Sequence, residues 1–146
     1  MFSQTVEYAL SAMVQLASDA PAASTTKEIA DKTKVPGAYL AKVLQSMRRA
    51  GLLNSRRGVG GGVSLSRPPK RISLLEVIDA VEPLQRGSTA VRRKTQLAPL
   101  GRKLDEALAQ VRKTLGGASL ADVMPASRKT AAARSTAKQR SARRAK

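Results

Sequence analysis

The chain has 146 residues, 27 Lys+Arg against 10 Asp+Glu, and a formal net charge of +17. It has no cysteine and no histidine, which excludes a disulfide scaffold, thiolate or imidazole metal ligation, and catalysis by a Cys nucleophile or a His base. The charge points to a polyanionic partner, most simply nucleic acid.

Hydrophobic residues make up 42% of the chain, while aromatics are 2% (Phe2, Tyr8 and Tyr39). The core must therefore be built from Leu, Val, Ile, Met and Ala, which favours small helices. No stretch reaches the roughly 18 apolar residues of a membrane span. The N-terminus lacks a basic region and carries Glu7, so no signal peptide is expected and the cytoplasm is the expected compartment. The charge is uneven. Residues 125–146 hold eight Lys/Arg and no acid, leaving 19 basic and 10 acidic residues in 1–124. That Ala/Ser/Thr/Lys/Arg segment has almost nothing to bury, so a disordered basic tail is expected there.

In chain order, residues 3–18 read as a helix. Val6, Leu10, Met13, Val14 and Ala17 recur at three- and four-residue spacing behind Ser3 as N-cap. Thr25-Thr26-Lys27-Glu28 is a capping box that opens a short helix to about Thr33, with Ile29 and Ala30 on its buried face. Pro36 suits the first position of a third helix, whose apolar stripe is Leu40, Val43, Leu44 and Met47 and whose stop is Gly51. Its opposite face shows Ala38, Ala41, Lys42, Gln45, Arg48 and Arg49. Residues 52–56 and 63–66 read as short strands across Gly58-Val59-Gly60-Gly61-Gly62, a hairpin. Ser73-Leu74-Leu75-Glu76 is another capping box, opening a helix that Pro83 closes. Residues 84–96 read as a polar loop containing Arg92, Arg93 and Lys94. From Leu97 a long helix runs to Gly116-Gly117, with Leu97, Leu100, Leu104, Ala107 and Val111 as its seam and Leu108 and Leu115 beside it. Residues 119–124 add one more turn.

The unit 25–50 has the size of a helix-turn-helix, and the hairpin sits where a winged helix carries its wing. The alternative is an αα-hairpin with a solvated basic face. The glycine run does not fit a nucleotide loop: Val63 stands where a third fingerprint glycine belongs, and no G-K-[ST] follows. Catalysis has little support, because the acids are scattered and Glu28 and Glu76 complete capping boxes. The seam of the long helix serves either an internal core or a dimer contact. The dimer is the more economical use, since it supplies two half-site readers.

Tyr8-Ala9-Leu10, Thr26-Lys27-Glu28-Ile29-Ala30, Val35-Pro36 with Tyr39-Leu40, and above all Arg57-Gly58-Val59-Gly60-Gly61-Gly62 resemble the Rrf-two family of winged-helix regulators. Arg67-Pro68-Pro69 and the stretch Ile72 to Glu82 continue the resemblance, which covers about residues 1–124. It implies homodimers on palindromic operators, with the recognition helix in the major groove and the wing in the adjacent minor groove. Ala38, Tyr39, Ala41 and Lys42 match recognition-helix contact positions and Arg57 matches the wing arginine. Ala38 and Ala41 are small where many members are polar or acidic; alanine can touch a thymine methyl but cannot hydrogen-bond a base edge. Cluster-binding members hold iron–sulfur centres with three cysteines. Here the corresponding stretch is Thr95-Gln96-Leu97-Ala98-Pro99-Leu100-Gly101, with Thr95 and Gly101 in place of cysteines. No cofactor is therefore expected.

The expected architecture is mainly α with a small β-hairpin: a winged helix-turn-helix over 1–83, a degenerate sensor loop over 84–96, a dimerisation helix and short terminal helix over 97–124, and a basic tail over 125–146. The candidate DNA contacts are Thr26, Pro36, Ala38, Tyr39, Ala41, Lys42, Gln45, Arg48, Arg56, Arg57 and Gly60. The candidate dimer contacts are Leu97, Leu100, Leu104, Leu108 and Val111. The expected function is a cytoplasmic, nucleoid-associated transcriptional regulator, most simply a repressor, bound to double-stranded DNA as a homodimer. An architectural DNA-binding protein with sequence-independent affinity is the alternative. An effector- or partner-binding module using residues 84–96 is a third reading.

Overall fold

Ser3 sits in extended backbone with its hydroxyl accepting the Val6 N–H, and this cap starts α1 (Gln4–Asp19). The structure is a computed structural model that describes residues 2–84 and 98–125. α1 buries Val6, Ala9, Ala12, Met13, Leu16 and Ala17. Leu10 and Val14, expected on the buried stripe, are only half-buried. The reason is that α1 packs against the helices Thr26–Thr33, Gly37–Arg49, Leu74–Val81 and Leu120–Val123 and the strand Gly62–Leu65. The small Ala9 and Ala12 let several neighbours approach, so the buried face is wider than one leucine stripe and centred away from it.

The Thr25 capping box forms as expected: Glu28 N–H donates to the Thr25 hydroxyl at 3.2 Å and Thr25 N–H to the Glu28 carboxylate at 2.8 Å. It opens α2 (Thr26–Thr33). α3 (Gly37–Arg49) buries Leu40, Val43, Leu44 and Met47, the expected stripe. Pro36 corrects the expectation by one place. Its ψ of 131° is extended, its carbonyl accepts the Leu40 N–H at 2.9 Å, and it is therefore the N-cap rather than the first helical residue. Gly51, at φ +79°, ends the helix.

β1 (Leu53–Arg56) and β2 (Gly62–Leu65) pair antiparallel, Leu53 opposite Leu65 and Arg56 opposite Gly62. A short 3-10 turn (Pro69–Arg71) leads to α4 (Leu74–Val81), opened by the reciprocal Ser73–Glu76 box. The long helix α5 (Ala98–Gly116) follows, then α6 (Leu120–Val123). After α5 the backbone returns to the start of α4: Leu74 N–H donates to Ala118 and Leu120 N–H to Ile72, both at 2.9 Å. One core holds Met13, Leu16, Ile29, Leu40, Met47, Leu52, Ile72, Val77 and Leu120. Among the described residues no helix is long and apolar enough to cross a membrane. The expected sensor loop beyond Leu84, Leu97, and the tail beyond Pro125 lie outside the described residues.

Candidate nucleic-acid interface

The turn between α2 and α3 is closed without glycine. Lys34 adopts φ +61° and ψ 19° and donates its N–H to Ala30 O at 2.8 Å, ending α2. Val35 is then buried as the chain enters Pro36. Because one side of α3 is fully committed to the core, Ala38, Tyr39, Ala41, Lys42, Gln45, Arg48 and Arg49 are all left exposed on the other. Arg48 and Arg49 occupy the last turn, where cations also complement the helix dipole. Tyr39 has two attachments. Its ring meets Tyr8 edge-on at 5.5 Å, and its hydroxyl lies 3.3 Å from Thr5 Oγ1. It is still 44% exposed, so it ties α3 to α1 while presenting its other edge to solvent. Thr26, the first residue of α2, is half-buried, and Pro36 is exposed.

The hairpin is joined directly to the end of α3. Leu52 N–H donates to Met47 O at 3.0 Å, and Ser66 bonds Leu52 O at 3.0 Å and Gly51 O at 2.7 Å. A second attachment comes from the segment before α2: Ser24 and Val63 exchange backbone hydrogen bonds of 2.9 and 2.8 Å. That approach requires Gly62, since a Cβ there would lie 2.3 Å from Ser24 O. Arg56, Arg57, Gly58, Val59 and Gly60 form the exposed tip, and Val59 has its whole side chain in solvent. The wing is thus tethered at both edges of its base to the helix-turn-helix, with its arginines held outward.

Between Asp31 and Glu76 the chain has ten basic residues and no acid. Two of the ten are paired with carboxylates. Lys32 pairs with Asp19 at 3.0 Å and Arg67 with Glu76 at 2.8 Å. Burial pushes the Glu76 carboxyl up, but the Ser73 N–H, the Arg67 guanidinium and the Ser73 hydroxyl outweigh it and hold it below its ordinary value. The exposed face of α3 and the wing therefore carry cationic side chains and no acidic one, on a helix of the size that enters a major groove with a basic tip beside it.

A second region lies on α5. Leu100 and Leu104 are 51% and 45% exposed, whereas Leu108 and Val111 are half-buried. Leu97 lies outside the described residues. Arg112 of α5 reaches Asp79 of α4 with both guanidinium nitrogens, each at 3.1 Å, and also donates to Leu84 O at 2.9 Å. The sequence reading missed this pair, and it left Lys34, Arg49 and Val59 out of the candidate contacts. The unbroken run without acid would have drawn in Lys34 and Arg49. Nothing in the sequence links residues 79 and 112.

Residues 2–126 match the Rrf2 family, described as an iron-dependent transcriptional regulator. A protein named as an rrf2-like HTH-type transcriptional regulator of Rhodobacter capsulatus is 36% identical over 86 residues, 56% of this chain and 57% of its own. One named as an HTH-type regulator of Synechocystis is 44% identical over 59 residues, 40% of each chain. The chain spans about half the length of the curated relatives it matches. Among solved structures, CymR, the global cysteine regulator of B. subtilis, superposes with a TM-score of 0.72 at 26% identity, covering 84% of this chain and 95% of that one. IscR of T. potens gives 0.66 at 26% identity, covering 84% of each.

Proposed function

The chain belongs to the Rrf2 family, and from that premise we propose that it is a DNA-binding transcriptional regulator that reads a palindromic operator as a homodimer and represses from it. The observation that carries the reading is the joined cationic surface of α3 and the wing. In this mechanism α3 lies in the major groove. Lys42 and Gln45 reach base edges, Ala38 and Ala41 pack on thymine methyls, and Arg48 and Arg49 meet phosphates. Arg56 and Arg57 follow the backbone into the adjacent minor groove, and the glycines at 58 and 60 let the wing tip approach closely. Thr26 and Pro36 lie where the helix-turn-helix meets the phosphate backbone. Leu100 and Leu104, two exposed leucines one helical turn apart, supply the dimer seam, with Leu108 and Val111 at its edge. The site of action is the cytoplasm, at the nucleoid.

The family description implies iron, and the residues of this chain do not fit it. There is no Cys or His anywhere in the sequence. Among the described residues no group of three His, Cys, Asp or Glu side chains is placed to hold a metal. Gly101, where the family resemblance puts a cysteine, is a buried glycine of α5 with nothing to ligate. No step of the proposed mechanism therefore runs through a cluster.

The net charge of +17 and the eight cations beyond residue 125 favour a second reading, an architectural protein whose binding is sequence-independent. Genome-wide footprinting separates the two. A regulator protects a limited set of sites sharing an inverted repeat; an architectural protein gives broad occupancy with no common repeat.

A further inference from the structure

We propose that Asp79 and Arg112 are a positioning pair that fixes the direction of α5 relative to the DNA-reading face, and through it the half-site spacing the dimer accepts. The inference rests on the dimeric reading above. α5 packs against α4, and two residue contacts between them run in opposite directions along the two helices. Gly116 lies against Leu75, where a Cβ would sit 3.5 Å from Leu75 Cδ2. One turn earlier on α5, Arg112 meets Asp79, one turn later on α4. The two contacts define a line, and Arg112 is its end nearer the seam.

Arg112 does more than neutralise a charge. Its planar fork spans both carboxylate oxygens of Asp79 at 3.1 Å, and one of the same nitrogens donates to Leu84 O at 2.9 Å. Asp79 Oδ1 also accepts the Leu84 N–H at 3.1 Å. Three backbone elements are thus cross-tied at one point: α4, α5 and the segment leaving α4. Both side chains are about one-third exposed (29% and 34%), so the arrangement draws its specificity from geometry rather than from deep burial. A lysine could keep the charge but not the planar fork.

The seam is a lever about this point. From Arg112 to Leu100 is roughly 18 Å along the helix. A tilt of about 10° at the tie moves Leu100 by roughly 3 Å, close to the roughly 3.4 Å step between bases. A change of about 10° in the direction of α5 is therefore comparable with the difference between one half-site spacing and the next.

The test uses the full chain with Arg112→Lys and Asp79→Asn, both checked for parent-like circular dichroism. Affinities are measured for palindromes whose half-sites differ in separation by one or two base pairs, and for a single half-site. The parent should prefer one spacing by roughly tenfold, and both variants should bind all spacings within about threefold while keeping the parent affinity for the half-site. Because the chain has no native cysteine, spin labels at Arg102→Cys and Asp31→Cys report the α5 direction directly in samples diluted with unlabelled protein. The label distance should be narrowly distributed in the parent and at least twice as broad with Arg112→Lys. Unchanged distance widths, or a parent spacing profile in both variants, would overturn the positioning role. A parent that binds no palindrome better than a half-site sinks the dimeric reading instead, and the label distances then decide the tie alone.

Discussion

Replacing Gly62 with alanine isolates what the wing's second attachment is worth. The backbone there has φ +134°, and the new Cβ would fall 2.3 Å from Ser24 O and 2.5 Å from Ser24 C. Both atoms are backbone, so the clash is relieved only by moving β2 away from the segment before α2. The unfavourable φ costs about 1–3 kcal/mol. Losing the two Ser24–Val63 hydrogen bonds costs about 0.5–1.5 kcal/mol each. The loss is therefore about 2–6 kcal/mol, a large part of the roughly 5–15 kcal/mol that holds a domain folded. Urea denaturation followed by far-UV circular dichroism measures it, and the midpoint should fall with little change in slope. Gly37→Ala is the control. A Cβ there meets nothing within 4 Å and the φ is ordinary, so that variant should be neutral or gain up to about 1 kcal/mol. If the two variants differ by less than about 0.5 kcal/mol, the wing is not anchored through Ser24.

Other substitutions reach the remaining parts of the molecule. Leu104→Asp should leave the monomer folded, since Leu104 is 45% exposed. In a dimer it would bury an unpaired charge at a cost of several kcal/mol, on the order of 3–5, so light scattering should report monomer and palindrome affinity should fall sharply. A mutant that stays dimeric moves the seam elsewhere. The Glu76 carboxyl is held below its ordinary 4.5, so its stabilising contribution is present above that pH and is lost as the pH falls through the lowered value. Glu76→Gln should be less stable than the parent at neutral pH and approach it on acidification. A gap that stays constant from neutral pH to well below 4.5 contradicts the Arg67–Ser73 arrangement. Anaerobic incubation with ferrous iron and sulfide should produce no cluster absorption bound to the chain, and DNA affinity should be the same before and after exposure to oxygen or nitric oxide. Stoichiometric iron and sulfide retained through desalting would refute the absence of a ligand set.

The helices were legible because their end signals are local. Ser3, Thr25 with Glu28, Ser73 with Glu76 and Gly51 each stop or start an element within four residues, and each does so in the structure. The stripe of α3 was legible because it packs with one well-defined face. α1 was less so: four helices and a strand pack against it, and its buried residues include Ala9 and Ala12, which carry little hydrophobic signal of their own. Pro36 could be misplaced by one residue because its fixed φ serves an N-cap as well as the first helical position. Lys34 closes a turn in a left-handed conformation that sequence reading assigns to glycine or asparagine. The cationic face followed from charge, but its rigidity did not. The Ser24–Val63 bridge joins residues about 40 apart, and the Asp79–Arg112 tie joins residues 33 apart. Pairings of that separation leave no periodic trace in the chain.

A salt titration of binding to a specific operator and to a random duplex, run on the parent, on Arg57→Ala and on a chain lacking 126–146, bears most directly on the proposed function. At fixed salt the parent should prefer the operator by roughly a thousandfold or more. Truncation removes eight cations, and every phosphate that goes unneutralised lowers the slope of log affinity against log salt by roughly 0.9. The slope should flatten by several units with the preference intact. Arg57→Ala should lose about 1–3 kcal/mol on the operator and less on random DNA. Collapse of the operator preference on truncation, with Arg57→Ala leaving it unchanged, would contradict a reader built from α3 and the wing.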